Sequence, residues 1–142
     1  MSWEKIEPGL VPVPDWHAGP FNAHVGLRLV RWGPGGAEGA LDLKDFHANS
    51  LGVTHGGVSM TALDFAMGMS GCYGKNLEDR RRCMTMSMNT NFIAPVLPGR
   101  LTIRAWVTGG GLKTFFPAGE IRDESGKLLV TATGVFRYIR NA

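Results

Sequence analysis

The sequence predicts an α+β fold in which an antiparallel sheet wraps around one central helix, and three observations carry that expectation. The stretch from Gly57 to Cys72, GVSMTALDFAMGMSGC, is small and apolar almost all round, the composition of a helix buried among neighbours. A hairpin pattern precedes it. A run of segments with period-two alternation follows it. Strands, one apolar helix and then more strands leave a sheet that must bury a face against that helix.

In chain order, residues 1–22 carry Pro8, Pro12, Pro14 and Pro20 among Trp3, Trp16 and Phe21, which predicts an irregular lead-in that packs its aromatics on the body, with little helix. His24 to Trp32 alternates apolar and polar residues. Gly33, Pro34, Gly35 and Gly36 then turn the chain into a second strand, Ala37 to Leu43. The loop from Asn49 to Gly57 opens the buried helix, and Gly71 or Gly74 stops it. Beyond Arg80 to Arg82 the period becomes two, with Met84, Met86 and Met88 on one side and Thr85, Ser87, Asn89 and Asn91 on the other. Leu101 to Val107 alternates likewise. Thr114 to Arg122 is a strand that Pro117 and Gly119 interrupt, with a bulge expected, and Leu128 to Ile139 is a long last strand entered through the turn Asp123 to Gly126.

The 142 residues suit a single domain, 1–142, with 1–22 as its lead-in. At 44% hydrophobic and 19% charged residues the chain reads as neither disordered nor membrane-spanning. The start MSWEKIEPGLVP has acids and prolines where a signal peptide needs a basic end and an apolar stretch, so a cytoplasmic protein is expected. Cys72 and Cys83 show no CxxC spacing and are expected to be buried thiols. His17, His24, His47 and His55 lack metal-ligand spacing, so no metal or other cofactor is expected. The net charge of +3 is dispersed except at Arg80, Arg81 and Arg82, which read either as a solvated connection or as a clamp for a phosphorylated ligand. Aromatic residues do not interleave with the basic ones, which argues against nucleic acid as a partner.

Within the buried helix, Asp64 is the only charged residue. A carboxylate in that setting either serves structure, bonded to backbone amides, or is a candidate general base or nucleophile.

The segment NSLGVTHGGVSMTALD, with Asn49, Gly52, His55, Gly56, Gly57 and Asp64, resembles the signature of the hot-dog fold acyl-CoA thioesterases of the phenylacetate-pathway and 4-hydroxybenzoyl-CoA thioesterase type. The blocks GPFNAHVGLRL, TMSMNTNFIAPVLPGRLTIRAWV and DESGKLLVTATGVF are similar to that family's first strand, middle strands and terminal hairpin, and together the likeness runs from about Pro20 onward. The resemblance implies a hot-dog fold and hydrolysis of an acyl-CoA to a free acid and coenzyme A. It implies that Gly56 offers its N–H to the thioester carbonyl, that Asp64 activates water or attacks the thioester, that Asn49 and His55 orient the carbonyl or the water, and that Thr85 supplies a hydroxyl beside the carboxylate. Each has a structural reading: close packing for the glycines, a satisfied histidine, a loop-stabilising asparagine, an ordinary strand threonine. Relatives place a basic residue directly after a glycine between the middle strands, whereas this chain has Gly111, Leu112 and Lys113. Lys113, Arg100, Arg80, Arg81 and Arg82 are therefore the candidates for the coenzyme A phosphates.

Helix geometry adds a constraint. Gly56 and Asp64 lie eight positions apart, about 12 Å along a helix, too far for both to serve one thioester within about 3 Å of each. Two helices related by a two-fold axis can do so, which agrees with the homodimer or homotetramer with interface sites that the resemblance implies. The methionines Met60, Met67, Met69, Met84, Met86 and Met88 either fill the core or line a pliable acyl pocket. The competing functional readings are a dehydratase of the same fold with His55 as base, and a non-catalytic acyl-CoA binding module. No GxSxG elbow is present, which disfavours a serine hydrolase.

Overall fold

The computed structural model describes residues 2–140; Met1, Asn141 and Ala142, at the ends of the expected 1–142 domain, lie outside the described residues. A short helix α1 (Trp3–Ile6) leads through a 3-10 turn into β1 (Val11–Trp16), helix α2 (Pro20–Val25), and the hairpin β2 (Arg28–Gly33) and β3 (Gly36–Asp42). The long helix α3 (Gly56–Ser70) follows, and then β4 (Arg82–Phe92), β5 (Arg100–Gly110), β6 (Thr114–Arg122) and β7 (Leu128–Ile139). All seven strands form one antiparallel sheet in the order β1-β2-β3-β5-β6-β7-β4. Helix α3 lies across its middle, packed mainly on β3, β5 and β6. The core is what the apolar helix requires: Ala62, Leu63, Ala66 and Met67 are buried against Leu41, Ile103, Ile121 and Val130 of the sheet.

The predicted strands Thr114–Arg122 and Leu128–Ile139 have the observed bounds, and Gly71 caps α3. The front of the chain differs from expectation twice. Val11–Trp16 is a strand within the lead-in; its Pro12 and Pro14 are tolerated because β1 is an edge with a partner on one side only. The segment expected as a strand from His24 instead begins as helix α2, since Pro20 stands at its first turn and Gly26 ends it in the left-handed region at φ 89°. Pro117 sits inside β6, where the β6–β7 ladder passes over Phe116 and Pro117 and the neighbouring β5 shifts register between Val107 and Gly109. The bulge expected there is present, on the partner strand.

The face pattern of β4 is also corrected. A register shift between Thr85 and Ser87 sets Met86 out of the ladder with β7. Thr85 pairs with Phe136, a buried residue, and so faces α3; beyond the bulge Met88 packs on the core while Met84 and Met86 stay 59% and 58% exposed. The three methionines therefore do not share a side, because one extra residue inverts the alternation.

Candidate active site

Helix α3 begins at Gly56 because His55, in extended conformation, caps it: His55 Nδ1 accepts the Gly57 N–H at 2.8 Å, and the His55 carbonyl accepts the Val58 N–H at 2.9 Å. The Gly56 N–H heads the helix with no preceding turn to bond it, at the positive end of the dipole. A Cβ at Gly56 would meet the Phe92 ring at 3.3 Å, so glycine keeps this N–H open beside the end of β4. The cap also fixes the histidine's tautomer. Since Nδ1 accepts, the hydrogen resides on Nε2, and the exposed His55 presents a donor rather than a base.

The loop before the helix is shaped by Asn49, whose Oδ1 accepts the N–H groups of Leu51 at 2.9 Å and Val53 at 3.3 Å. Gly52 takes φ 81° in that turn, a conformation that favours glycine. Asn49 thus spends its oxygen on the loop, and its amide nitrogen is the group left for other work.

Two turns into α3, Asp64 is half-buried and accepts a hydrogen bond at Oδ1 from the Thr85 hydroxyl of β4. The bulge at Met86 is the local reason Thr85 turns to the helix. The pair lines an open cleft of about 480 Å³ whose apolar walls are Phe21, Phe65, Met69, Phe136 and Ile139. Arg80, Arg81 and Arg82 border the same cleft.

The structure separates the basic candidates. Arg80 stacks 5.0 Å from the Trp16 ring and donates to the Leu77 carbonyl at 2.6 Å; burial lowers its pKa from the ordinary guanidinium value. Arg81 lies 3.3 Å over the Tyr138 ring and borders a second cleft of about 510 Å³ that also holds Lys113, Arg137 and Arg140. Ile139 and Arg81 line both clefts, so the two adjoin, although Arg137, paired with Met84, stands on the face of the sheet opposite Thr85. Arg100 is elsewhere. It donates to Asp42 at 2.8 and 3.2 Å at the start of β5, and Lys113 follows that strand's far end, about 33 Å away for a strand of this length. Arg137 and Arg140 were missed in the sequence because they lie singly in the last strand and beyond it; the register Met84↔Arg137↔Thr114 brings Arg137 to the others. Among the described residues no three His, Cys, Asp or Glu side chains gather to hold a metal, and no helix is long and apolar enough to cross a membrane.

A seven-stranded antiparallel sheet around one long helix defines a hot-dog α+β domain, and this one carries a helix-borne carboxylate in a cleft and an open helix N-terminus. Comparison with known proteins places it further. The thioesterase superfamily model matches residues 51–130, and the chain belongs to that superfamily of thioester hydrolases. An esterase-named protein of Saccharolobus solfataricus is 26% identical over 114 residues, 80% of this chain and 79% of its own. A conserved protein of Pseudomonas aeruginosa superposes with a TM-score of 0.78 at 27% identity, covering 85% of this chain and 94% of that one. The E. coli PaaI protein from the phenylacetic acid degradation operon gives a TM-score of 0.77 at 19% identity, over 88% of each chain, a likeness of fold.

Proposed function

We propose that this single domain is an acyl-CoA thioesterase whose sites are shared between two subunits, and the observation that carries the reading is the Thr85 hydroxyl fixed on Asp64 Oδ1 inside the cleft. With one carboxylate oxygen held by Thr85, the other faces a water molecule as general base. The thioester carbonyl oxygen rests on the Gly56 N–H of the partner subunit, with the donors of His55 and Asn49 beside it. As water attacks, its proton passes to Asp64 and the carbonyl electrons move onto the oxygen, where the helix N-terminus meets the developing charge. Collapse expels the coenzyme A thiolate, which recovers the proton. Acyl-CoA and water become a free acid and coenzyme A.

The eight-position spacing of Gly56 and Asp64 calls for the second subunit, and β4 offers it a surface. This strand is an edge of the sheet, eleven residues long, with Met84, Met86, Phe92 and the adjoining Ile93 exposed. An edge so long and apolar invites pairing with a second copy. The cleft of Arg81, Lys113, Arg137 and Arg140 suits the phosphates of coenzyme A: none of the four makes an ion pair among the described residues, and Arg81 and Ile139 line this cleft and the Asp64 cleft alike. The capped His55 has no free basic nitrogen on Nδ1, which weighs against its service as a dehydratase base. The test is thiol release from aromatic, short-chain and long-chain acyl-CoAs by the protein and by Asp64→Asn. Release by the protein and about a hundredfold loss in a folded variant support the reading. Equal rates in both remove Asp64 from the mechanism, and absence of release across the panel in both supports an acyl-CoA binding module.

A further inference from the structure

Two thiols border the Asp64 cleft, and the reaction above uses neither. Cys72 follows the end of α3 and is 2% exposed; Cys83, the second residue of β4, is half-buried. Both line the cleft that holds Asp64 and Thr85. The flanking backbone ties them together: the Arg81 N–H donates to the Cys72 carbonyl at 3.2 Å, and Cys83 Sγ lies 3.8 Å from the Gly68 carbonyl. The Cys83 thiol, with Arg81 and Arg80, lowers the pKa of Cys72, while the same contact, burial and the Asp64 charge raise that of Cys83. The two thiols thus share one cleft with the Arg80 and Arg81 guanidinium groups, whose charge favours a thiolate at Cys72.

We propose that Cys72 and Cys83 are an oxidisable dithiol, closed by a hydroperoxide to an intramolecular disulfide that switches the thioesterase off. The switching rests on the Asp64–Thr85 reading of the site; the disulfide does not. The Cys72 thiolate attacks a peroxide oxygen, the O–O bond breaks and the departing oxygen leaves as alcohol or water after taking a proton, so that Cys72 becomes a sulfenic acid. The Cys83 sulfur then attacks Cys72 Sγ, the S–S bond forms, the S–O bond breaks, and water leaves with the Cys83 proton. Two thiols have lost two electrons, and the hydroperoxide has gained them. Cys83 and Thr85 lie two residues apart on the helix-facing side of β4, paired with Tyr138 and Phe136. Drawing Cys83 onto Cys72 therefore shifts the strand that sets Thr85 against Asp64, and a misplacement of about 1 Å is enough for a hundredfold loss of rate.

The experiment treats the whole protein with hydrogen peroxide, counts free thiols, measures intact mass and maps peptides without reduction, and follows acyl-CoA turnover before and after dithiothreitol. The expected result is a fall from two titratable thiols to none, a mass lower by about 2 Da, a peptide joined through Cys72 and Cys83, and a loss of turnover of about a hundredfold that dithiothreitol restores. Cys72→Ser and Cys83→Ser, each compared with its own reduced state, should form no such bridge and keep their turnover. Persistence of both thiols, a gain of about 32 Da per cysteine, or bridges only between chains overturns the dithiol. A bridged protein that turns over as fast as the reduced one overturns the switch. If the reduced protein releases no thiol from any acyl-CoA, the functional reading fails, and the thiol count and peptide map still decide the dithiol.

Discussion

Replacing Gly56 with proline removes the proposed carbonyl donor, puts a ring carbon in the place of its hydrogen, and keeps the helix start. Gly56 is the first residue of α3, a position where proline is favoured because the missing N–H has no helical acceptor. The residue before a proline must be extended, and His55 already is, at φ −60° and ψ 132°. The added carbon meets the Phe92 ring at 3.3 Å, a contact the ring relieves by moving a few tenths of an ångström. Gly56→Ala adds the same Cβ and keeps the N–H, so it separates the Phe92 contact from loss and blocking of the donor. Loss of one preorganised donor to a developing oxyanion lowers kcat by about 10² to 10³, or about 3 to 4 kcal/mol. Thiol-release kinetics on the best acyl-CoA, with thermal unfolding midpoints for both variants, measure this. Proline and alanine variants of equal kcat, both folded, would refute the assignment of the Gly56 N–H.

Asp64→Asn, in a folded protein, should lower kcat by about a hundredfold or more, read by the same assay. Thr85→Val removes a hydrogen bond to a charged group, and kcat should fall by about tenfold to a hundredfold, in keeping with about 1.5 to 3 kcal/mol for such a bond. Arg137→Gln with Arg140→Gln should raise KM for acyl-CoA with kcat held, and steepen no salt dependence, whereas Arg100→Gln should leave KM unchanged because Arg100 is engaged with Asp42. The Arg100 hydrogen bond holds the Asp42 carboxyl below the usual carboxylate range. Because the folded-state value is the lower one, this stabilisation is present above the ordinary carboxylate pKa and is lost as pH falls through the depressed one. Thermal midpoints of the protein and of Asp42→Asn should therefore converge on acidification, from a gap of only about a few tenths of a kcal/mol for so exposed a pair.

Much of this architecture was legible because local pattern and global fold agree. The apolar run before Cys72, the glycine stop at Gly71 and the alternation of Leu128 to Ile139 each point to a single element, and the structure holds those elements. What was not legible is tertiary. The bulge at Met86, which turns Thr85 toward Asp64 and separates Met88 from Met84, leaves no local signal, because its cause is the ladder with β7. The helix at Pro20 was masked by the alternation that continues through it, although Pro20 and Gly26 mark its ends. Within the candidate site, Asn49, His55, Gly56 and Asp64 were visible as one motif, yet the joining of Arg137 and Arg140 to Lys113 and the separation of Arg100 from them follow only from strand register. Composition counts charges; the sheet decides which of them meet.

Subunit complementation tests the shared site most directly. Asp64→Asn and Gly56→Pro are each expected to be nearly inactive, and each keeps the half-site that the other lacks. Co-refolded in equal amounts, they should form mixed dimers in which one of the two sites is intact, restoring about a quarter of the unmutated protein's sites if subunits exchange at random. Recovery to that level supports catalysis across the two-fold axis. Mixtures no more active than the separate variants, with mixed dimers demonstrated by differential tagging, would contradict it.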